Sequence, residues 1–263
     1  MCSGVAALTV SVIVPWRESD EHRARAWLYV SDHLASYGWE IIQGVHDEGA
    51  WCKAEAIRDG LQRATGDVLV VHDADVVIQG ARPLLRAVEA VEQGAPWAIP
   101  HVLVHRLNER STAHLYTHGT PDPGEPEEKG CPYVGVEGGG VVVLARDTYE
   151  QVPMDGRYMS WNLEDVSWGM ALKVLAGPPV RLDNPLLHLW HPPQDRLTRN
   201  TPRDPAAWDL ASRYRSAYRR WEREPRSGEG VAMMQALIDE AKAAALPHPA
   251  GSGCGSGAGP SLP

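Results

Sequence analysis

The chain has 263 residues, 43% of them hydrophobic, and a formal net charge of −9 at pH 7. This supplies one substantial core with a tail, and too little for two full domains. The acidic balance argues against a constitutive nucleic-acid binder, which needs clustered cations to meet phosphates.

Taken in order, the first hundred residues alternate in period as βαβα units do. Leu8–Val14 is a continuous apolar strand running into Pro15-Trp16-Arg17. The stretch from Val5 has no basic flank, so it reads as a core strand and not a signal peptide, and no run approaches membrane-spanning length. Trp27, Val30, Leu34 and Tyr37 recur at helical spacing and stop at Gly38. Glu40–Val45 is a second strand. Ala54, Ile57 and Leu61 mark a second helix ending near Gly66. Asp67–His72 is a third strand, and Pro83 opens a helix that closes at Gly94.

Residues 101–132 change character, with His101, His105, His114 and His118 followed by a Pro- and Glu-rich stretch, and read as an irregular insertion or lid. The four histidines are irregularly spaced; a second metal site and surface or loop-packing roles both stay open. Gly138–Leu144 begins a new strand, with a short helix near Thr148. Asp165–Ala176 is a helix stopped by Gly177-Pro178-Pro179, and Leu186–Trp190 a late strand. From Asp204, an N-cap, to Arg223 the residues Trp208, Ala211, Tyr214, Tyr218 and Trp221 keep helical spacing. Residues 247–263 are a Gly, Ser, Pro and Ala tail expected to be disordered. Cys2, Cys52, Cys131 and Cys254 lack metal-ligand spacing, which favours reduced thiols and a cytoplasmic setting.

The chemistry concentrates at strand ends, where an open sheet of this kind places its ligands. Asp73-Ala74-Asp75 puts two carboxylates at the exit of an apolar strand, a repulsive arrangement unless a cation sits between them. Pro15-Trp16-Arg17, Trp161-Asn162-Leu163-Glu164-Asp165 and His188-Leu189-Trp190-His191 occupy similar ends. Singly each is weak, since an aspartate at a strand end is often a helix cap and Glu164-Asp165 could be an ordinary acidic first turn.

In order along residues 8–193, these segments resemble the metal-dependent GT-A glycosyltransferases, most closely the β-1,4-galactosyltransferase type and its family 2 relatives. Val12–Arg17 is similar to the family's Ile-Pro-Phe-Arg segment along the uridine diphosphate, and Val70–Asp75 to its metal-binding DxD strand. Trp51–Ala54 resembles the segment whose basic residue, here Lys53, approaches the donor phosphates. Pro132-Tyr133-Val134 and Gly138-Gly139-Gly140-Val141 are similar to elements beside the donor sugar. Trp161–Asp165 resembles the family's Trp-Gly-Gly-Glu-Asp loop, and His188–Trp190–His191 lies where the family places a metal-binding histidine. Two departures stand out. The loop glycines are replaced by Asn162 and Leu163, and the segment before Gly138 is longer than in the animal enzymes, so acceptor choice does not carry over.

The resemblance implies a single GT-A, Rossmann-like α/β domain over residues 1–203, a mixed, mostly parallel sheet flanked by helices. Residues 1–100 would be its nucleotide-binding half, 101–132 the insertion, 133–203 the acceptor-side half, with C-terminal helices over 204–246. It implies a UDP-sugar donor, with Pro15, Arg17, Asp47, Lys53, Asp73, Tyr133, Gly139, Gly140 and Trp161 around it. Asp73 and Asp75 would bind a divalent ion together with His191, or secondarily His188. An imidazole ligand suits Mn²⁺ better than Mg²⁺, although Mg²⁺ stays possible. Asp165 would take the proton of an acceptor hydroxyl and Glu164 hold the acceptor, which could be a glycan, lipid, protein or small molecule. Inverting transfer is expected; a retaining enzyme, a non-catalytic sugar-nucleotide or glycan binder and a nucleotidyltransferase are the rivals. Trp161 and Tyr133 could stack on sugar or base, or belong to the core, where Trp190 is expected. Asp47 could meet uracil or only shape a turn. Arg213, Arg215, Arg219, Arg220, Arg223 and Arg226 could meet an anionic acceptor or a membrane surface, or form a solvated helix face.

Overall fold

A computed structural model of the chain describes residues 8–122, 124, 126–128, 130–160, 163–192 and 205–245. Its frame starts from apolar runs that can be buried on both faces. β1 (Val10–Trp16) is followed by α1 (Glu21–Ala35), β2 (Glu40–Val45), α2 (Lys53–Arg63), β3 (Val68–His72), the short β4 (Val76–Ile78) and α3 (Arg82–Glu92). Then come β5 (Trp97–Ile99), β6 (Leu103–Arg106), α4 (Glu109–His118), β7 (Tyr133–Val134), β8 (Val141–Ala145), α5 (Arg146–Gln151) and α6 (Glu164–Leu175). β9 (Val180–Arg181), β10 (Pro185–His188), α7 (Pro205–Arg223) and α8 (Glu229–Ala244) complete the order.

The main sheet has six strands in the order β2-β1-β3-β8-β5-β9, and only β8 runs against its neighbours. Successive side chains point to opposite faces, so each central strand feeds two cores. Ile13, Leu69, Val71 and Val142 pack with Trp97, Trp168 and the C-terminal helices on one side. Val12, Val14, Val70 and Val143 pack with α1 and α3 on the other. Nearly continuous apolar runs are what a doubly covered sheet requires. α2 approaches β2 through glycines, because a Cβ on Gly44 would collide with the Ala56 carbonyl and one on Gly60 with Ile13.

A second sheet of four strands, β4-β10-β6-β7, was not anticipated. Residues 101–132, expected to be irregular, contain both β6 and α4. α4 is capped by Asn108, whose side chain accepts from Ser111 N, and closed by Gly119 at φ +73°. The strand was hidden because β6 alternates its polar residues: His105 pairs with Glu127 on one face while Arg106 points to the other.

The C-terminal helices dock on α6 through a buried polar bridge. Tyr214 donates to Asp155 at 2.8 Å, Arg157 pairs with Asp155 and reaches Glu240 on α8, and Tyr158 shares a hydrogen bond with Ser167 of α6. Paired burial of this kind compensates for desolvated polar groups. Asp204 and the tail from 246 lie outside the described residues. Cys52 and Cys131 are free thiols. Among the described residues no helix is long and apolar enough to cross a membrane.

The glycine contact between α2 and β2 gives a stability test. Gly44→Ala should cost roughly 1–3 kcal/mol through overpacking, read as a lower thermal midpoint. An unchanged midpoint would contradict the close approach.

Candidate active site

One face of the small sheet forms a wall of a pocket of about 320 Å³ at the ends of β1 and β3. Alternation chooses the residues: Val76 of β4, Leu186 and His188 of β10, Val104 and Arg106 of β6 and Tyr133 of β7 all line it. Cross-strand register sets His188 opposite both Val76 and Arg106. The opposite wall comes from Pro15 and Trp16 at the end of β1, Trp51 and Lys53 at the start of α2, and Glu164 and Asp165 at the start of α6.

At one end Asp75, His188 and His191 each bring a ligand atom within 4.8 Å of the others. His191 Nε2 lies 3.3 Å from Asp75, and the Arg23 guanidinium, from α1, lies 3.5 Å from the same carboxylate. Burial alone would raise the Asp75 pKa, but His188, His191 and Arg23 outweigh it and hold the carboxyl below the usual range. Burial pushes His188 down to about 4, with Asp75 opposing and Arg106 adding to the shift. A neutral imidazole beside an ionised carboxylate is the donor set a divalent ion needs. His188 Nδ1 is buried without a hydrogen-bond partner, an orphaned donor or acceptor that a metal would satisfy. The residues therefore fit a cation with mixed nitrogen and oxygen preference, such as Mn²⁺.

Asp73 stands apart from this triad. Its carboxylate meets Lys53 Nζ at 2.7 Å and accepts from the Gly140 amide at 3.2 Å. The same Lys53 ammonium lies 2.8 Å from Asp165, so one buried cation joins two carboxylates. Burial disfavours its charge, but Asp165 and Asp73 more than restore it and its pKa rises. Asp165 shifts the other way from most carboxylates. Burial raises it, Lys53 opposes, and the charges of Asp73 and Glu164 add to the rise.

The glycine run after β7 explains how Asp165 comes so close. A Cβ on Gly138 would strike the Asp165 carbonyl, and one on Gly139 would fall 3.0 Å from the Asp165 carboxylate and 2.9 Å from Val136. Gly140, at φ +73°, sits against Leu186 and the His101 ring. Substitution there would be strained whatever the space.

Most residues expected at the site meet in this pocket: Pro15, Arg17, Lys53, Asp73, Asp75, Tyr133, Gly139, Gly140, Glu164, Asp165, His188 and His191. Arg17 is turned aside, donating to the carbonyls of Gly49 and Asp47. Asp47 is exposed and is not part of the lining. Tyr133 is 40% exposed, hence not core. Trp190, expected in the core, is half-buried with its ring edge-on to His22, while Leu189 beside it is fully buried. Trp161 lies outside the described residues. Arg23, His101 and Arg106 line the pocket without having been expected there. Of the other histidines, His105 pairs with Glu127, and His114 stacks on His118.

No protein-family model and no curated protein sequence matches the chain. Solved structures do. One is GalNAc-T7, solved with UDP, GalNAc and Mn²⁺; it aligns with a TM-score of 0.50 at 10% identity over 89% of this chain and 55% of its own. A Drosophila β-1,4-galactosyltransferase 7 mutant, in complex with manganese, UDP-Gal and xylobiose, aligns with a TM-score of 0.41 at 16% identity, over 76% of this chain and 82% of its own. Glucosyl-3-phosphoglycerate synthase of Mycobacterium tuberculosis aligns with a TM-score of 0.43 at 14% identity, over 81% of each chain. The chain has the GT-A fold.

Asp75→Asn and His188→Ala should each weaken Mn²⁺ binding by at least roughly tenfold, measured by electron paramagnetic resonance titration. Unchanged affinity in both would remove the triad as the metal site.

Proposed function

We propose that the protein is a Mn²⁺-dependent glycosyltransferase that moves a hexose or N-acetylhexosamine from a UDP-sugar to an acceptor hydroxyl. The observation that carries this reading is the division of labour in one pocket. A metal-competent triad and a carboxylate with a raised pKa, paired with Lys53, line the same cavity from different elements. The GT-A fold, shared with a protein solved with UDP, GalNAc and Mn²⁺, agrees with it and suggests the first probes.

In this reading Asp75, His188 and His191 would hold the ion, which when bound supplies Lewis-acid stabilisation to the departing diphosphate. Asp165 accepts the proton of the acceptor hydroxyl as that oxygen bonds to the anomeric carbon and the bond to the diphosphate breaks. Its raised pKa makes it a better proton acceptor than an ordinary aspartate. Lys53 holds the carboxylate in place, and Glu164, 7% exposed in the preceding position, faces the same pocket to position the acceptor. Asp73, fixed by Lys53 and the Gly140 amide, borders the donor sugar. A single displacement of this kind inverts the anomeric centre.

A screen of UDP- and GDP-sugars, with and without Mn²⁺, should show metal-dependent UDP release. No turnover and no nucleotide-sugar binding would sink the proposal. Release of pyrophosphate in place of UDP would point to nucleotidyl transfer. Asp165→Asn should lower kcat by roughly 10²–10⁴-fold, the usual scale of general base catalysis. In the wild type, activity should rise with pH along a limb lying above the ordinary carboxylate range, because only the deprotonated Asp165 accepts a proton. That limb should vanish in Asp165→Asn. An NMR assignment of a retained anomer would exclude Asp165 as a simple base.

A further inference from the structure

Three of the pocket's cations already have protein partners. Lys53 is shared by Asp73 and Asp165, Arg23 lies against Asp75 and His191, and Arg17 donates to two backbone carbonyls. Arg106 differs. Its side chain is half-buried on the pocket face of β6, its Nε is buried with no hydrogen-bond partner, and no ion pair among the described residues includes it. A guanidinium partly withdrawn from water without a counterion is costly, and the missing partner must be anionic or rich in acceptor oxygens.

The position of Arg106 says which anion. It sits directly opposite His188 in the parallel register of β6 and β10, so the two side chains project from the same face one strand apart, about 4.8 Å along the sheet. Oxygens bound to an ion at Asp75, His188 and His191 would therefore lie within reach of a guanidinium from the neighbouring strand. The candidate base is held elsewhere, against the glycine run at the start of α6 and tied through Lys53 to Asp73. An anion on Arg106 belongs to the leaving-group side of the pocket and not to the acceptor side. Nor can the cations expected from the sequence serve it without breaking the contacts they make. Lys53 would have to leave two carboxylates facing each other, and Arg17 is drawn to the carbonyls after β2.

We propose that Arg106 binds the sugar-side phosphate of the nucleoside diphosphate, and that charge stabilisation expected of Lys53 falls instead to this arginine. The assignment rests on the transferase reading. As the bond between the anomeric carbon and the phosphate oxygen breaks, its electron pair stays on that oxygen, and the fixed guanidinium donors meet the charge where it grows. Lys53 is then a positioning residue for Asp165.

Isothermal titration of UDP and of UMP in the presence of Mn²⁺ tests this without turnover, since UMP lacks the phosphate in question. Arg106→Met should weaken UDP roughly 10- to 100-fold, the scale of a lost charge-assisted contact, and leave UMP within about threefold. Arg106→Lys, which keeps the charge but not the two-pronged donor geometry, should fall between and guards against a Met variant that fails to fold. Wild-type UDP affinity in both variants, or an equal loss for UDP and UMP, would overturn the assignment alone. Failure of the wild type to bind UDP would overturn the transferase reading itself.

Discussion

The buried ammonium of Lys53 is the contact on which the rest of the site depends. It comes from the first residue of α2, yet it joins the end of β3, through Asp73, to the beginning of α6, through Asp165. Two carboxylates that meet one ammonium would repel each other without it, and burial strengthens the repulsion. The lysine therefore sets the spacing between the two halves of the pocket as well as their charge. It also explains why Asp73 and Asp75, one residue apart, make different contacts. Asp73 is drawn towards Lys53 and the Gly140 amide, while Asp75 turns to the imidazoles.

Each part of the site is held from behind by packing that contains no chemistry. Gly138 and Gly139 let the chain before β8 lie against the first turn of α6, which brings Asp165 to the pocket. Ser167, two residues further along, is held by Tyr158, and Trp168 donates to the Val152 carbonyl. Behind these lie α7 and α8, joined to the same region through Asp155 and Arg157. The C-terminal helices are thus part of the scaffold that orients the candidate base, although none of their residues lines the pocket. The Arg-rich face of α7 is partly neutralised within the chain, Arg213 by Glu240 and Arg220 by Glu224 and Glu229.

How far the sequence could be read depended on element length and on how local each contact is. β1, β2 and β3 were visible because their apolar runs are long enough to outweigh chance, and α1 and α2 because their spacing is helical over several turns. β5 and β9, of three and two residues, carry too little pattern to be seen. β6 was missed because both of its faces end in polar residues, His105 on one and Arg106 on the other. α4 did have a signal, Asn108 ahead of the helix and Gly119 behind it, overshadowed by its histidines. The meeting of Asp75, His188 and His191 was legible since strand ends and an ordered set of motifs marked them, whereas Asp73, expected beside them, lies against Lys53. The pairing of Lys53 with Asp165 was not, because it spans 112 positions along the chain. Arg106 lies in no motif; only the register of β6 against β10 reveals it.

The small sheet also bears on how the molecule assembles. Ile78 pairs with Leu186 and Val76 with His188, so the wall that carries His188 closes a loop of more than a hundred residues. Such a closure loses chain entropy before any contact repays it, and four short strands return little by themselves. The pairings of the large sheet all span less, from Ser11 with Glu40 between β1 and β2 to Ala98 with Val180 between β5 and β9. An ion held between Asp75 and His188 would bridge the same gap and bind only the closed form, so its concentration would bias folding as well as chemistry. The pocket wall is the part of this protein whose formation its own ligand is best placed to complete.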